Sequence, residues 1–102
     1  MEFVVIGYDG SDENALARRM AAREDHIALS AEMARDGHQK MAAALLDDHE
    51  KMTGSVIIVD FPSRTELDAW LENEPYIKGR VWEKVHVYPC KISPAFQQVK
   101  QK

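Results

Sequence analysis

Arg23 and His26 stand three positions apart in the run Arg23-Glu24-Asp25-His26-Ile27-Ala28-Leu29. On a helix that spacing makes them neighbours on one surface. At about 100° per residue, Leu16, Met20, Ile27 and Ala34 form one apolar stripe, and Ala22, Leu29 and Met33 widen it. Arg23 falls inside the stripe, and His26 lies between the stripe and its Leu29/Met33 flank. Glu24, Asp25, Glu32, Arg35 and Asp36 take the solvated side. An unpartnered buried charge is too costly to keep, so Arg23 and His26 must reach an edge or face a polar pocket. Histidine is the side chain suited to proton transfer near neutrality, and a neighbouring carboxylic acid would complete an acid–base dyad.

The other chemistry-bearing residues are fewer. Ser55 follows Gly54 and could donate to a bound anion, although a serine that merely opens a strand explains it as well. Glu74-Pro75-Tyr76 reads on its own as a helix stop followed by a packed tyrosine. His26, His38, His49 and His86 have no metal-ligand spacing, and there is no glycine-rich phosphate loop or nucleophile elbow. Met33 and Met52 read as core filler. Neither metal nor cofactor is expected.

The chain has 102 residues, 45% hydrophobic and 29% charged, the balance of one folded domain spanning 1–102. Its net charge is −4 with Lys and Arg scattered, which argues against a nucleic-acid or anionic-membrane surface. No apolar run has membrane-spanning length, and MEFVVIGYDG reads as a first strand rather than a signal peptide. Cys90 is a single cysteine and suits a reducing cytoplasm.

The elements that must position these residues follow from turn and cap signals. A strand is expected at 2–8, closed by Asp9-Gly10. A long helix then runs from a Ser11 cap to about Asp36 and stops at Gly37. Strands are expected at 39–46 and 55–61, joined by a polar connection. Ser63-Arg64-Thr65-Glu66 is a capping box opening a second helix to about Asn73, with Leu67, Trp70 and Leu71 on its buried face. Pro75 starts another short turn. A last strand covers roughly 82–90, and the tail 93–102 is expected to be loosely ordered. The order β-α-β-β-α-β predicts an α+β, ferredoxin-like fold: one four-stranded antiparallel sheet with both helices on one face. Val4, Ile6 and Tyr8 would then line the bare face, opposite Phe3 and Val5. Lys84, His86, Tyr88 and Cys90 alternate along the last strand and would join them. An exposed apolar face of that size suits a homodimer that stacks two sheets, a dimeric α/β barrel.

Several features together resemble the YCII-related (YciI-like) family of small bacterial proteins. They are Tyr8-Asp9 closing the first strand, Arg23-x-x-His26 on the long helix, and Asp36-Gly37 at its end. Thr53-Gly54-Ser55, Glu74-Pro75-Tyr76 and a valine-rich last strand followed by Lys91 complete the set. The match spans roughly residues 2–91 and rests on order and spacing rather than on one motif. The resemblance implies a dimeric α/β barrel with a histidine–carboxylate pair in a cleft. Carried over, the histidine is His26 and the acid is Glu74, which stands where the family usually has aspartate. A second departure is Ala43-Ala44, where the family often has Gly-Pro.

Two functions follow as expectations. The first is a cofactor-free enzyme of lyase or isomerase type. His26 and Glu74 would form its acid–base pair, Arg23 would offset the charge of an anionic substrate, and Ser55 and Tyr76 would line the cleft. The second is a non-catalytic module that uses the same cleft to bind a metabolite, or the dimer to hold a protein partner. Hydrogen-bond reach between His26 and Glu74 separates a dyad from two unrelated side chains.

Overall fold

A computed structural model describes residues 1–97. The elements are β1 (Glu2–Asp9), α1 (Ala15–Arg35), β2 (Gln39–Leu46), β3 (Met52–Asp60), α2 (Arg64–Asn73), α3 (Pro75–Lys78) and β4 (Trp82–Cys90). The strands form one antiparallel sheet in the order β2-β3-β1-β4, so each helical crossover skips a strand, the arrangement of a ferredoxin-like α+β fold.

The pleat sorts the residues. Phe3 lies opposite Val59, and Val5 opposite both Ile57 and Val87. On the helix side Phe3, Val5, Ile57 and Val59 form the core with Met33, Phe61, Leu67, Trp70, Tyr76, Val81 and Trp82. Their neighbours on the strands face the other way. Val4 pairs with Ile58 and Tyr88, and Ile6 with Val56 and His86. Tyr8, Met41 and Tyr88 remain more than 40% exposed on that open face.

Local signals account for the ends. Gly37 adopts φ +81°, and the His38 amide donates to the Met33 carbonyl, closing α1 with a left-handed residue. Ser63 accepts from the Glu66 amide at 3.3 Å to start α2. Pro75 occupies the first turn of α3, and the Glu74 side chain caps it by accepting from the Tyr76 amide at 3.2 Å.

Three expectations are corrected. Helix α1 starts at Ala15, not after a Ser11 cap: Asp12 takes the turn by accepting from the Asn14 amide and from Arg18. The apolar stripe of α1 is not its buried face. Leu16, Met20 and Ile27 are 43%, 51% and 47% exposed, and Arg23 is exposed with them. The residues turned inward are Ala15, Arg19, His26 and Met33, a stripe rotated by roughly one residue, about 100°. The polar members of that stripe have partners inside, and that is why it can be buried. The tail is also partly regular: Pro94–Phe96 makes a 3-10 turn, and the Ile92 amide donates to Glu2 Oε1. The remainder of the predicted loose tail, 98–102, lies outside the described residues.

Trp70 and Leu67 lie between α2 and the sheet, 9% and 0% exposed, with Trp70 against Phe61 at 5.8 Å between ring centroids. Trp70→Ala should lower the unfolding free energy by about 3–5 kcal/mol in chemical denaturation. A loss below about 1 kcal/mol would mean that the indole contributes little packing.

Candidate functional site

The inward stripe of α1 carries two ionisable side chains one above the other, and each is matched by a different part of the chain. Arg19 is 2% exposed. Its NH1 donates to Asp9 Oδ1 and Oδ2 at 2.9 and 3.0 Å, and its NH2 to the Gly54 carbonyl and Ser55 Oγ at 3.1 and 2.9 Å. Asp9 is in phase with Phe3, Val5 and Gly7 on the helix side of β1, and a register shift at the Tyr8/Asp9 step, with Glu83 the extra residue of β4, turns Trp82 to the same side opposite it. Such an irregularity re-aims the side chains beside it. Burial pushes the Asp9 carboxyl above its ordinary range, against the pull of the Arg19 guanidinium.

Nearly two turns along α1, His26 is 8% exposed and hydrogen-bonds through Nδ1 to Glu74 Oε1. Glu74 is 1% exposed and sits at the break between α2 and α3, where Pro75 forbids continuation of the helix. The same oxygen accepts from the Tyr76 amide, so one carboxylate fixes α3 and the imidazole together. The His26 ring lies flat on Tyr76, with centroids 3.8 Å apart and planes 9° apart. Trp82 stands edge-on to Tyr76 at 5.5 Å, and the Arg19 guanidinium covers the Tyr76 ring at 4.8 Å. Burial raises the Tyr76 phenol, keeping it neutral beneath the imidazole. Trp82 fits because position 7 is glycine: a Cβ there would meet the indole at 2.4–2.6 Å.

These side chains border an open groove of about 500 Å³ between α1 and the β2–β3 side of the sheet. Arg19, Arg23, His26, Ser55 and Tyr76 all line it, with Ala42, Ala43 and Ala44 along the strand wall. Its lining includes Lys40 and no aspartate or glutamate, so the groove is locally cationic on a chain of net charge −4. The hydrogen bond at Nδ1 leaves His26 Nε2 without a partner among the described residues.

The residues singled out from sequence are distributed as follows. His26 and Glu74 are in contact, 48 positions apart in the chain. Tyr76 supports the imidazole face. Arg23 is an exposed residue of the groove and not a core-facing one. Ser55 is buried, and its oxygen accepts from Arg19 and, at 3.3 Å, from Trp82 Nε1. Sequence pattern does not mark Asp9 and Arg19 as a pair. Tyr8-Asp9 stands out there only as a strand end, and Arg19 lies off the apolar stripe that periodicity selects. Among the described residues no cluster of His, Cys, Asp or Glu could hold a metal ion.

Comparison with known proteins fixes the family. The YCII-related domain matches residues 1–91. This chain belongs to the YCII-related family. Protein YciI of Escherichia coli O6:H1 is 29% identical over 97 residues, covering 89% of this chain and 97% of that protein, and Protein YciI of Shigella flexneri matches equally. Among solved structures, a 5-chloro-2-hydroxyhydroquinone dehydrochlorinase from Burkholderia phenoliruptrix, in complex with 2,5-dihydroxybenzoquinone, has a TM-score of 0.79 at 22% identity. The alignment covers 95% of this chain and 100% of that one. A dimeric ferredoxin-like protein of unknown function from a Jannaschia species has a TM-score of 0.55 at 13% identity, covering 89% and 98% of the two chains. At those identities the likeness is one of fold.

The Asp9–Arg19 pair is desolvated on both sides, with side chains 4% and 3% exposed. Arg19→Met should therefore destabilise the protein by about 3–5 kcal/mol, since it strands the Asp9 carboxylate. Adding Asp9→Asn should recover part of that loss. Additive costs in the double variant, read by urea denaturation, would show that the two side chains do not depend on each other.

Proposed function

We propose that the groove is the site of acid–base chemistry, of lyase or isomerase type, on a small anionic ring compound. The observation that carries this reading is the His26–Glu74 contact. With Nδ1 donating to the carboxylate, the imidazole is held in the tautomer whose Nε2 has a lone pair, and that nitrogen is the free one. In the proposed step Nε2 takes a proton from the substrate, and the electron pair left behind moves onto a ring oxygen. An isomerase returns the proton to a different atom. In a lyase the oxyanion reforms its carbonyl, and the leaving group departs with the electrons of its own bond to the ring. Glu74 would stabilise the imidazolium formed, Arg23 would offset the anionic charge at the groove's edge, and Tyr76 and Ser55 would act as walls. The extra methylene of Glu74 relative to the family aspartate does not break its contact with the imidazole. The dehydrochlorinase of similar fold, holding a flat hydroxyquinone, supports a planar ligand for a groove floored by alanines. No cofactor is part of this reading.

The competing reading is a non-catalytic module. It is favoured by one observation: Glu74 Oε1 also caps α3, so the contact can serve as a latch between α1 and α3. Turnover and binding separate the two. In a thermal-shift screen of small cyclic acids, hydroxyquinones and lactones, a true ligand at a hundred times its Kd should stabilise the protein by about 2.7 kcal/mol. His26→Asn keeps a donor near the Nδ1 position and removes Nε2. It should leave that shift in place and cut turnover of the same compound by about 10²–10⁴-fold. Binding with no reaction, or a reaction indifferent to His26→Asn, would favour the module.

We further propose a homodimer formed by the open sheet face. Val4, Ile6, Val56 and Ile58 face outward in the centre of the sheet, and Tyr8, Met41 and Tyr88 are exposed around them. A second copy would cover them, and the Jannaschia neighbour described as dimeric supports that choice. The interior would be shared by His86, which packs against Tyr8 and Tyr88 at 5.9 and 6.3 Å. No helix among the described residues is long and apolar enough to cross a membrane. The single thiol, Cys90, fits a reducing cytoplasm, and a 102-residue chain with one core fits a single domain. Sedimentation velocity at micromolar concentration should give a dimer. A stable monomer would remove the barrel.

A further inference from the structure

One residue of the groove has a hydrogen-bonding arrangement that the fold does not explain. Gln39 opens β2, lies 6% exposed, and borders the groove. Its Oε1 accepts from the hydroxyl of Ser30 on α1, while its Nε2 is buried with no partner. Buried amides ordinarily have both ends satisfied, and a donor left over is destabilising. A leucine of similar size would avoid that penalty.

The backbone is also arranged to turn this side chain inward. Gln39 pairs with Val59 and Met41 with Ile58, so Lys40 is an extra residue in β2 at a register shift. Val59 faces the helices and Ile58 the open side of the sheet. In a regular strand Gln39 and Met41, two positions apart, would share a face. With the extra residue, Met41 points to the open face and the Gln39 amide is turned under α1.

Gln39 also has a defined place relative to His26. Ser30 is four residues after His26, about 6 Å along the helix axis, and both line the groove. The groove therefore has two polar stations one turn apart. His26 with Arg23 forms one, and Ser30 with Gln39 the other. Ala42, Ala44 and Ile57 line the groove with them. A six-membered ring with oxygens on opposite carbons can meet both stations, one oxygen at the imidazole and the other accepting the unused N–H of Gln39.

We propose that Gln39, oriented by Ser30, is a specificity residue that donates a hydrogen bond to the distal oxygen of a flat, anionic, para-dioxygenated ring. This rests on the reading of the groove as a site for an anionic ring compound, and it adds the substrate class and the residue that selects it.

The test uses two isomeric anions, 2,5-dihydroxybenzoate and 2,3-dihydroxybenzoate, whose hydroxyls are para and adjacent. Binding is measured by calorimetry on the full chain. The wild type should favour the 2,5 isomer. Gln39→Leu should weaken that isomer by about tenfold, the worth of one good hydrogen bond. It should leave the 2,3 isomer nearly unchanged, with a melting temperature equal to or above wild type. Gln39→Glu replaces the donor with an acceptor in the same shape, and should lose the 2,5 isomer as well if Gln39→Leu fails to fold. A preference that survives both substitutions overturns the inference while the binding of either isomer still supports the groove as the site. Failure of both isomers to bind the wild type overturns the inference and the anionic-ring reading together. A fall in melting temperature with unchanged preference would make Gln39 a structural residue and also overturn it.

Discussion

The structure is organised around one constraint: helix α1 turns an arginine and a histidine into the protein interior. Neither can be buried alone. The rest of the site can be understood as the partners they require. Asp9 and Ser55, on β1 and β3, answer Arg19 with four hydrogen bonds when the Gly54 carbonyl is included. Glu74 answers His26 from a helix break on the far side. The helix is thereby tied to both central strands and to α3 by polar contacts that specify its rotation about its own axis. An apolar stripe of the same helix would give a less directional fit. Leu16, Met20 and Ile27, which could have supplied one, stay in solvent.

Aiming so many side chains at one place bends the sheet's rules locally. A regular pleat alternates strictly, so a strand can present either its odd or its even residues to the helices. Register shifts interrupt this at the Tyr8/Asp9 step beside β4 and at Lys40 in β2. One turns Trp82 to the helix side opposite Asp9, and the other turns Gln39 to that side. The second places Gln39 and Lys40 in the lining of the groove, and the first lies next to the Asp9 partner of Arg19, which lines it too. Gly7 allows the Trp82 indole to lie against the strand, and that indole in turn donates to Ser55. Each departure from regularity costs stability, and departures that converge on one cleft are the expected signature of function.

How much of this was legible beforehand depends on the kind of signal. The elements were visible because they are written in local chemistry: Gly37 at a left-handed stop, Ser63 as a cap, Pro75 after Glu74. Even the alanine-rich 39–46 is a strand, because a stop and a second strand bracket it. The rotation of α1 was not visible. Periodicity assumes that the buried face is the apolar one, and here the buried face holds Arg19 and His26. Ranking by apolarity therefore picks the exposed stripe and, with it, Arg23 in place of Arg19. The Asp9–Arg19 pair was hidden for a related reason. Its partners are ten residues apart but meet only through the packing of α1 on β1, which has no compositional mark. The contact between His26 and Glu74 came from the family resemblance alone, since neither residue type nor spacing predicts a meeting across 48 positions.

The groove persists for a reason of size. A helix packs onto a sheet through side chains that fill the space between them. Along β2 that space is bordered by Ala42 and Ala44, and on α1 by Ser30, Ala31 and Ala34. Two rows of small residues cannot close a gap that leucines would fill. The helix is held chiefly elsewhere, by Arg19 and His26 on the β1, β3 and α3 side, and its polar tie to β2 is the single Ser30–Gln39 contact at the end of the strand. Polar anchoring on one side and small residues on the other are thus two halves of one arrangement. The first keeps α1 in place with little help from β2, and the second leaves between α1 and β2 a cationic cleft that the imidazole borders. A domain of this size has little apolar surface to spare for such an opening. Its core is concentrated instead on the far side of α1, where Leu67, Trp70, Tyr76 and Trp82 pack beneath α2 and α3.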